Sequence, residues 1–167
     1  MKPLLKRKRI NSSNVIIRNF KNEDNIEFRS LNTAWISQFF EMEDADHIAL
    51  DSPKDYIIDR GGYIFVASIE EQTVGVCALL KRDCQNYPYE LAKMAVSETA
   101  RGNGVGLLLG QVVVEKAKEL GACSIYRESN TKLKPAIKLY EKLGFKKVVG
   151  HDTPYQRCNI QMEKVFN

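Results

Sequence analysis

The sequence predicts an α/β fold in which one mixed, mostly antiparallel sheet is flanked by about four helices. Three observations carry that expectation. Between Tyr63 and Val96 the apolar residues run in three short blocks separated by polar turns, the signature of a strand meander. From Val105 onward the apolar spacing lengthens to that of a helix, and helices then alternate with strands to the end of the chain. Finally, 167 residues, 44% hydrophobic and 28% charged, suit one domain with a substantial core. There is no internal repeat and no low-complexity linker.

Residues 1–13 read as a flexible basic tail, and residues 14–167 as the domain. Val15 to Arg18 is the first strand. Asp24 can cap a helix whose apolar positions include Ile26, Leu31 and Trp35. The acidic segment from Phe39 to Asp46 has no clear assignment. A second, shorter helix is expected after Pro53, because proline suits a first helical turn. Tyr63 to Ile69 and Val74 to Leu80 are strands joined by the Glu70-Glu71-Gln72 turn. Both alternate sets of the latter are apolar, so both its faces should be covered. Tyr89 to Val96 is the third strand of the meander.

Leu109, Val113, Ala117 and Leu120 then mark the buried stripe of a long helix, which Gly121 ends. Ser124 to Arg127 is a strand. Pro135 opens another helix with Ala136, Leu139, Tyr140 and Leu143 on one stripe, and Gly144 closes it. Lys146 to Val149 and Asn159 to Val165 are the last strands. The expected order is β-α-α-β-β-β-α-β-α-β-β.

Composition excludes several classes. No apolar run approaches the roughly 20 residues of a bilayer span, and the basic N-terminus lacks the apolar stretch of a secretory signal. Both absences suit a cytoplasmic protein without a membrane partner. Cys77, Cys84, Cys123 and Cys158 form no CxxC pair, and neither His47 nor His151 stands at ligand spacing from them. Buried, reduced thiols without a metal are therefore expected. The net charge is +4, partly from Lys6-Arg7-Lys8-Arg9. No aromatic residue interleaves that run, which reads as a solvated end and not as a nucleic-acid site.

The chemistry concentrates in Arg101-Gly102-Asn103-Gly104-Val105-Gly106, where a strand has ended and a helix begins. Helix N-termini offer unpaired N–H groups and a partial positive charge. Glycines there let an anion approach the backbone, so a phosphate or pyrophosphate site is the leading reading. A ligand-free tight turn is the bland one. A P-loop would need a lysine after the glycines. A dinucleotide fold would need GxGxxG directly after its strand; here the third glycine comes one residue early, although Glu128 lies near where an acidic ribose ligand would fall.

The spacing Arg-x-x-Gly-x-Gly resembles the GNAT family of N-acetyltransferases. The resemblance extends from about Val15 to Val165. It is strongest in Glu90-Leu91-Ala92-Lys93-Met94-Ala95-Val96, in the glycine comb, and in Ala136-Ile137-Lys138-Leu139-Tyr140-Glu141-Lys142-Leu143-Gly144-Phe145. It implies acetyl-CoA as cosubstrate and no metal. Its pyrophosphate would lie on the backbone amides of Arg101, Gly102, Asn103, Gly104, Val105 and Gly106. Its pantetheine arm would pair with backbone groups of Met94, Ala95 and Val96, where that strand splays from the next and can leave an N–H for an oxyanion. Asn130 matches the position of a pantetheine-bonding asparagine, with Lys132-Leu133-Lys134 lengthening the loop before Ala136.

Acetyl transfer requires an amine to lose a proton, an oxyanion to be stabilised and a thiolate to leave. The resemblance makes Tyr140 the candidate acid, since a phenol of pKa about 10 is protonated at neutral pH. The alternative is a core tyrosine. Glu90 is the candidate base, working through water: a charged residue in an apolar strand needs a reason. The alternative is a solvated strand end. Lys93 is expected on the other face of that strand, in solvent. Glu41, Glu43, Asp44 and Asp46 fall where the family binds its acceptor and can attract a cationic amine; a solvated acidic loop is the bland reading. The favoured function is N-acetylation of a small-molecule or peptide amine. A non-catalytic acyl-CoA-binding module of the same fold is the alternative, and a homodimer is left open.

Overall fold

A computed structural model describes residues 14–150 and 152–167. The expected basic tail, residues 1–13, and His151 lie outside the described residues. Seven strands form one sheet in the order β1-β2-β3-β4-β5-β7-β6. They are β1 (Ile16–Asn19), β2 (Tyr63–Ile69), β3 (Gln72–Lys81), β4 (Tyr89–Val96), β5 (Ser124–Ser129), β6 (Lys146–Val148) and β7 (Ile160–Val165). Four helices flank it: α1 (Asn25–Phe39), α2 (Asp44–Asp51), α3 (Val105–Glu119) and α4 (Lys134–Lys142). The element order is the one expected. Every pairing is antiparallel except β4 with β5.

The sheet is covered on both faces, which accounts for the uninterrupted apolar character of β2 and β3. Ile64, Val66, Val76 and Ala78 pack with Phe28 and Ile36 of α1 and Leu50 of α2. The alternate residues Phe65, Ala67, Cys77 and Leu79 pack with Leu109, Val113 and Ala117 of α3 and Tyr140 of α4. The spacing of two in a strand thus feeds two separate cores.

Several expectations change. Ile26 is 75% exposed, and the buried stripe of α1 is Phe28, Asn32 and Ile36. Asp24 precedes α1 but makes no cap bond into it; its carboxylate accepts from Arg18 at 2.7 and 2.9 Å and from the Lys21 N–H at 2.7 Å. The second helix lies before Pro53, not after it. The acidic segment forms α2 through a capping box between Glu43 and Asp46, and Pro53 opens only a five-residue π-turn, Lys54–Ile58. Leu120, expected in the buried stripe of α3, is 37% exposed and ends the helix.

Candidate active site

The site begins with a bulge. Val76 and Ala78 of β3 face Ala95 and Ala92 of β4, so one residue of β3, Cys77, opposes two of β4, Lys93 and Met94. Lys93 takes up the extra length at φ +51°. Beyond Glu90, which faces Tyr126, β4 and β5 have no further register partner. The strands therefore open beside Ala92, Lys93 and Met94, and a cavity of about 150 Å³ lies there. Trp35 and Ile36 of α1, Arg127 to Asn130 at the end of β5, and Pro154, Tyr155 and Arg157 complete its walls.

The bulge corrects the expectation for Lys93. In a regular strand, residues 90 and 93 point to opposite faces. The inserted residue reverses that alternation and brings both side chains to the same cavity. Lys93 is not solvated; its side chain is 6% exposed and its Nζ lies 2.6 Å from Asp46 Oδ1.

Asp46 is the centre of a buried ion cluster. Its carboxylate accepts from Lys93, from both terminal nitrogens of Arg157 at 2.6 Å, and from the Glu43 N–H at 2.9 Å. Glu43 accepts from Arg157 at 3.1 Å and from the Gln156 N–H at 2.8 Å. Tyr155 lies between the two cations, 4.8 Å from Lys93 Nζ and 4.6 Å from Arg157 Cζ. Two of the four loop acids are thus neutralised inside the protein and do not attract an outside cation. Burial pushes the Asp46 carboxyl up, but the hydrogen bonds from Arg157 and the charge of Lys93 outweigh it and bring it down to about 2. A carboxyl held below its unfolded value stabilises the fold above pH 4, and that contribution is lost as pH falls from about 4 to about 2. Asp46→Asn, which keeps the shape without the charge, is expected to lose about 2 kcal/mol at pH 7. The deficit should narrow toward pH 3 in chemical denaturation; a constant deficit would place the effect elsewhere.

Glu90 lies at the junction of that cavity with a second one, lined by Arg60, Lys81, Arg82, Asp83 and Asp152 among others. Its side chain is 13% exposed and meets Arg82 Nη1 at 3.2 Å. Burial, then the charge of Glu128, push its carboxyl up to about 7. It is not a solvated strand end.

Tyr140 lies on the other face of the sheet, 3% exposed in the core beneath α3 and α4. The Arg127 guanidinium stacks on its ring at 4.6 Å while donating to the Leu91 carbonyl at 3.1 Å. Burial raises the phenol above its ordinary value, with Arg127 opposing. Its hydroxyl keeps its proton at neutral pH.

The glycine comb is built as a cradle. Gly102 and Gly104 have φ of +79° and +80°, and an added Cβ at either would meet nothing within 4 Å. Gly104 caps α3, whose first intrahelical bond runs from the Leu108 N–H to the Gly104 carbonyl. The N–H groups of Gly104, Val105, Gly106 and Leu107 precede it and have no helical acceptor. Gly106 serves packing instead, since a Cβ there would come 3.0 Å from Leu139; its bareness sets the contact of α3 with α4. Val105 is buried. Arg101 turns away from the cradle, donating to the Val96 carbonyl at 3.1 Å and to Gln38 at 2.8 Å, over Trp35. Asn103 donates to the Ala100 and Arg101 carbonyls and pins the turn.

Met94 lines the cavity, while Ala95 and Val96 pair back toward β3. Asn130 also lines it, but its amide nitrogen donates to the Arg157 carbonyl at 2.7 Å and its oxygen accepts from the Lys132 N–H at 2.8 Å. Glu128 is not exposed for a ribose: its side chain is 6% exposed, beside Arg82 and Thr153. Sequence reasoning missed Arg82, Arg127, Tyr155 and Arg157. Arg127 and Glu128 carry the same signal used for Glu90, a charge inside an apolar strand. Tyr155 and Arg157 carry none, because they sit in a loop.

The family model described as acetyltransferase (GNAT) domain matches residues 60–147. The chain is 35% identical over 118 residues to an N-acetylaspartate synthetase of Xenopus tropicalis, covering 70% of this chain and 43% of that protein. It is 32% identical over 111 residues to the uncharacterized N-acetyltransferase YvbK of Bacillus subtilis, covering 64% of this chain and 70% of that one. It spans less than half the length of the frog protein and of similar rat and zebrafish relatives. A Bacillus subtilis acetyltransferase solved in complex with CoA superposes with a TM-score of 0.69 at 22% identity, over 92% of this chain and 99% of that one.

Proposed function

The chain belongs to the GNAT acetyltransferase family, and on that premise we propose that it transfers an acetyl group from acetyl-CoA to the primary amine of a small molecule or peptide by direct attack on the thioester. The observation that carries this is the closeness of the cradle at α3 to the opening between β4 and β5: Met94, which lines the opening, would stand 3.7 Å from a Cβ at Gly106. The donor set fits the coenzyme. Free N–H groups and open space at Gly102 and Gly104 suit a pyrophosphate, and unpaired β4 backbone beside Met94 suits an extended amide arm. The coenzyme supplies an activated acetyl thioester; the chain supplies position and proton traffic. That a similarly folded Bacillus subtilis acetyltransferase was solved in complex with CoA supports the choice of coenzyme.

In this proposal Arg101, Asn103, Val105 and Gly106 hold the cradle's shape, and the amides from Gly102 onward hold the anion. Asn130 shapes the loop bordering the opening. An N–H of β4 beside the bulge serves as the oxyanion donor. Glu90 takes the proton of the acceptor ammonium, directly or through one water. Tyr140 Oη holds the proton that the departing sulfur takes. Glu90 lines the opening, and Tyr140 lies on the other face of the sheet, outside the lining of either cavity, with Arg127 of that lining stacked on its ring. The relative named N-acetylaspartate synthetase puts aspartate among the acceptors to be tried. Action in the cytoplasm belongs to the same reading.

Free-thiol release from acetyl-CoA, screened over polyamines, amino acids and peptide N-termini, tests it. Turnover with one class of amine is expected. Coenzyme binding without turnover on any would assign the chain to the non-catalytic acyl-CoA-binding alternative. Tyr140→Phe should lower kcat about tenfold with little change in KM for acetyl-CoA. The loss is modest because a thiol of pKa about 8.5 leaves tolerably without full protonation. Unchanged kcat, with chemistry shown to be rate-limiting, would return Tyr140 to a packing role.

A further inference from the structure

Glu90 does not stand alone at the junction of the two cavities. One nitrogen of Arg82, Nη1, lies 3.2 Å from Glu90 Oε2 and 4.0 Å from Glu128 Oε1. Arg82 is held there by stacking on the Tyr126 ring at 4.3 Å. Glu128 follows Tyr126 by two residues, so it shares the face on which Tyr126 pairs with Glu90. Thr153 donates its hydroxyl to Glu128 Oε2. That hydroxyl accepts from the Tyr155 N–H at 3.2 Å, which leaves its proton for Glu128. Glu128 therefore has a fixed donor, while among the described residues Glu90 is hydrogen-bonded to the shared guanidinium alone. Two carboxylates around one cation cannot both ionise without cost, and the partner with the additional hydrogen-bond donor keeps the charge.

We propose that Glu128 is a positioning residue whose fixed negative charge, moderated by Arg82, governs how readily Glu90 takes up a proton. The proposal rests on the reading of Glu90 as the base. The proton leaves the acceptor's ammonium nitrogen, binds a Glu90 carboxylate oxygen, and passes to bulk water through the second cavity, which both glutamates line. The neutral amine is then consumed in its attack on the thioester, and the ionised carboxylate is restored for the next cycle. Other groups around Glu90 act in the opposite sense to Glu128: Arg82 just beyond the end of β3, Lys93 on β4 and Arg127 on β5 favour its ionised form. Tyr126 and Tyr155 also face it; burial raises both phenols most, then the charge of Glu128 for Tyr126 and of Asp46 for Tyr155, and Glu90 adds to each. Glu128 thus adds to burial in keeping Glu90 able to accept a proton in the neutral range; Asp83 and Asp152 also line the second cavity.

The test is the pH profile of kcat/KM for one acceptor amine across three variants. Amine ionisation is common to all, so differences between profiles belong to the protein. Glu128→Gln removes the repulsion and should move the acid limb about one pH unit lower. Arg82→Gln removes the moderating cation and should move it higher. A purely structural loss would lower the plateau without displacing the limb, or displace both variants alike. Glu128→Asp, which keeps the charge, should restore much of the wild-type position. An unmoved limb in Glu128→Gln, or the same direction in both variants, overturns the proposal. If Glu128→Gln does not fold, an unmoved limb in Arg82→Gln overturns it just as well. Glu90→Gln, run in parallel, separates the two readings: if it stays fully active the base assignment falls, whereas an inactive Glu90→Gln with an unmoved Glu128→Gln limb sinks only the role of Glu128.

Discussion

Glu90→Gln is expected to lose about 10²- to 10³-fold in kcat/KM near neutral pH, the scale of general-base catalysis. The substitution keeps the size and polarity of the side chain and removes only its capacity to accept a proton. The wild-type acid limb should lie close to pH 7, because burial and Glu128 push the Glu90 carboxyl up to about that value. The mutant's deficit should shrink as pH rises, since a larger share of the acceptor amine is then already neutral. Stability supplies the control. A carboxyl raised in the folded state weakens the fold as pH climbs from its unfolded value toward its folded one. Removing it should therefore leave the melting temperature at pH 8 unchanged or higher. Loss of activity with an undiminished melting temperature identifies a catalytic effect. Full activity from pH 6 to 9, about the range in which such a base titrates, would mean that the base lies elsewhere.

The sequence legibility of this site follows a physical line. Strands β2 to β4 and helices α3 and α4 were readable because one apolar stripe or alternation runs through each. Helix α2 was not, because one of its three buried positions is an acid: Asp46, Ala49 and Leu50 turn inward. An inward-facing aspartate reads as surface until its partners are known, and Lys93 and Arg157 lie 47 and 111 residues further along. The Glu43–Asp46 capping box was present in the sequence, but an all-acidic box is easily taken for a loop. Lys93 shows a second limit. A single inserted residue in β4 reverses the side-chain alternation, and nothing in the apolar pattern announces it. Glu90 and the comb could be singled out because their signals are local: a charge inside an apolar strand, and glycines where a helix starts.

Gly104→Val is expected to weaken CoA binding about 100-fold, and the structure provides the control that makes this loss interpretable. Gly104 has φ +80°, where a valine pays backbone strain of about 1–3 kcal/mol whatever surrounds it. Strain alone would lower stability, and lower stability can masquerade as lost binding. Gly121, beyond the C-terminal end of the same helix, has φ +81°, and a Cβ there also meets nothing within 4 Å. Gly121→Val therefore carries the same backbone cost at the opposite end of α3, away from the cradle. The two variants should lose similar amounts of stability in denaturant titration. Only Gly104→Val should lose CoA affinity by calorimetry, because only there does the side chain occupy the space in front of the free N–H groups. Hydrogen bonds to a charged group contribute about 1.5–3 kcal/mol each, so displacing the anion from one or two of them accounts for the loss. Equal losses of affinity in both variants would trace the effect to strain in α3. Unchanged affinity in a folded Gly104→Val would remove the comb from the coenzyme site and leave the anion to be held by side chains, of which Arg101 is already committed to Val96 and Gln38.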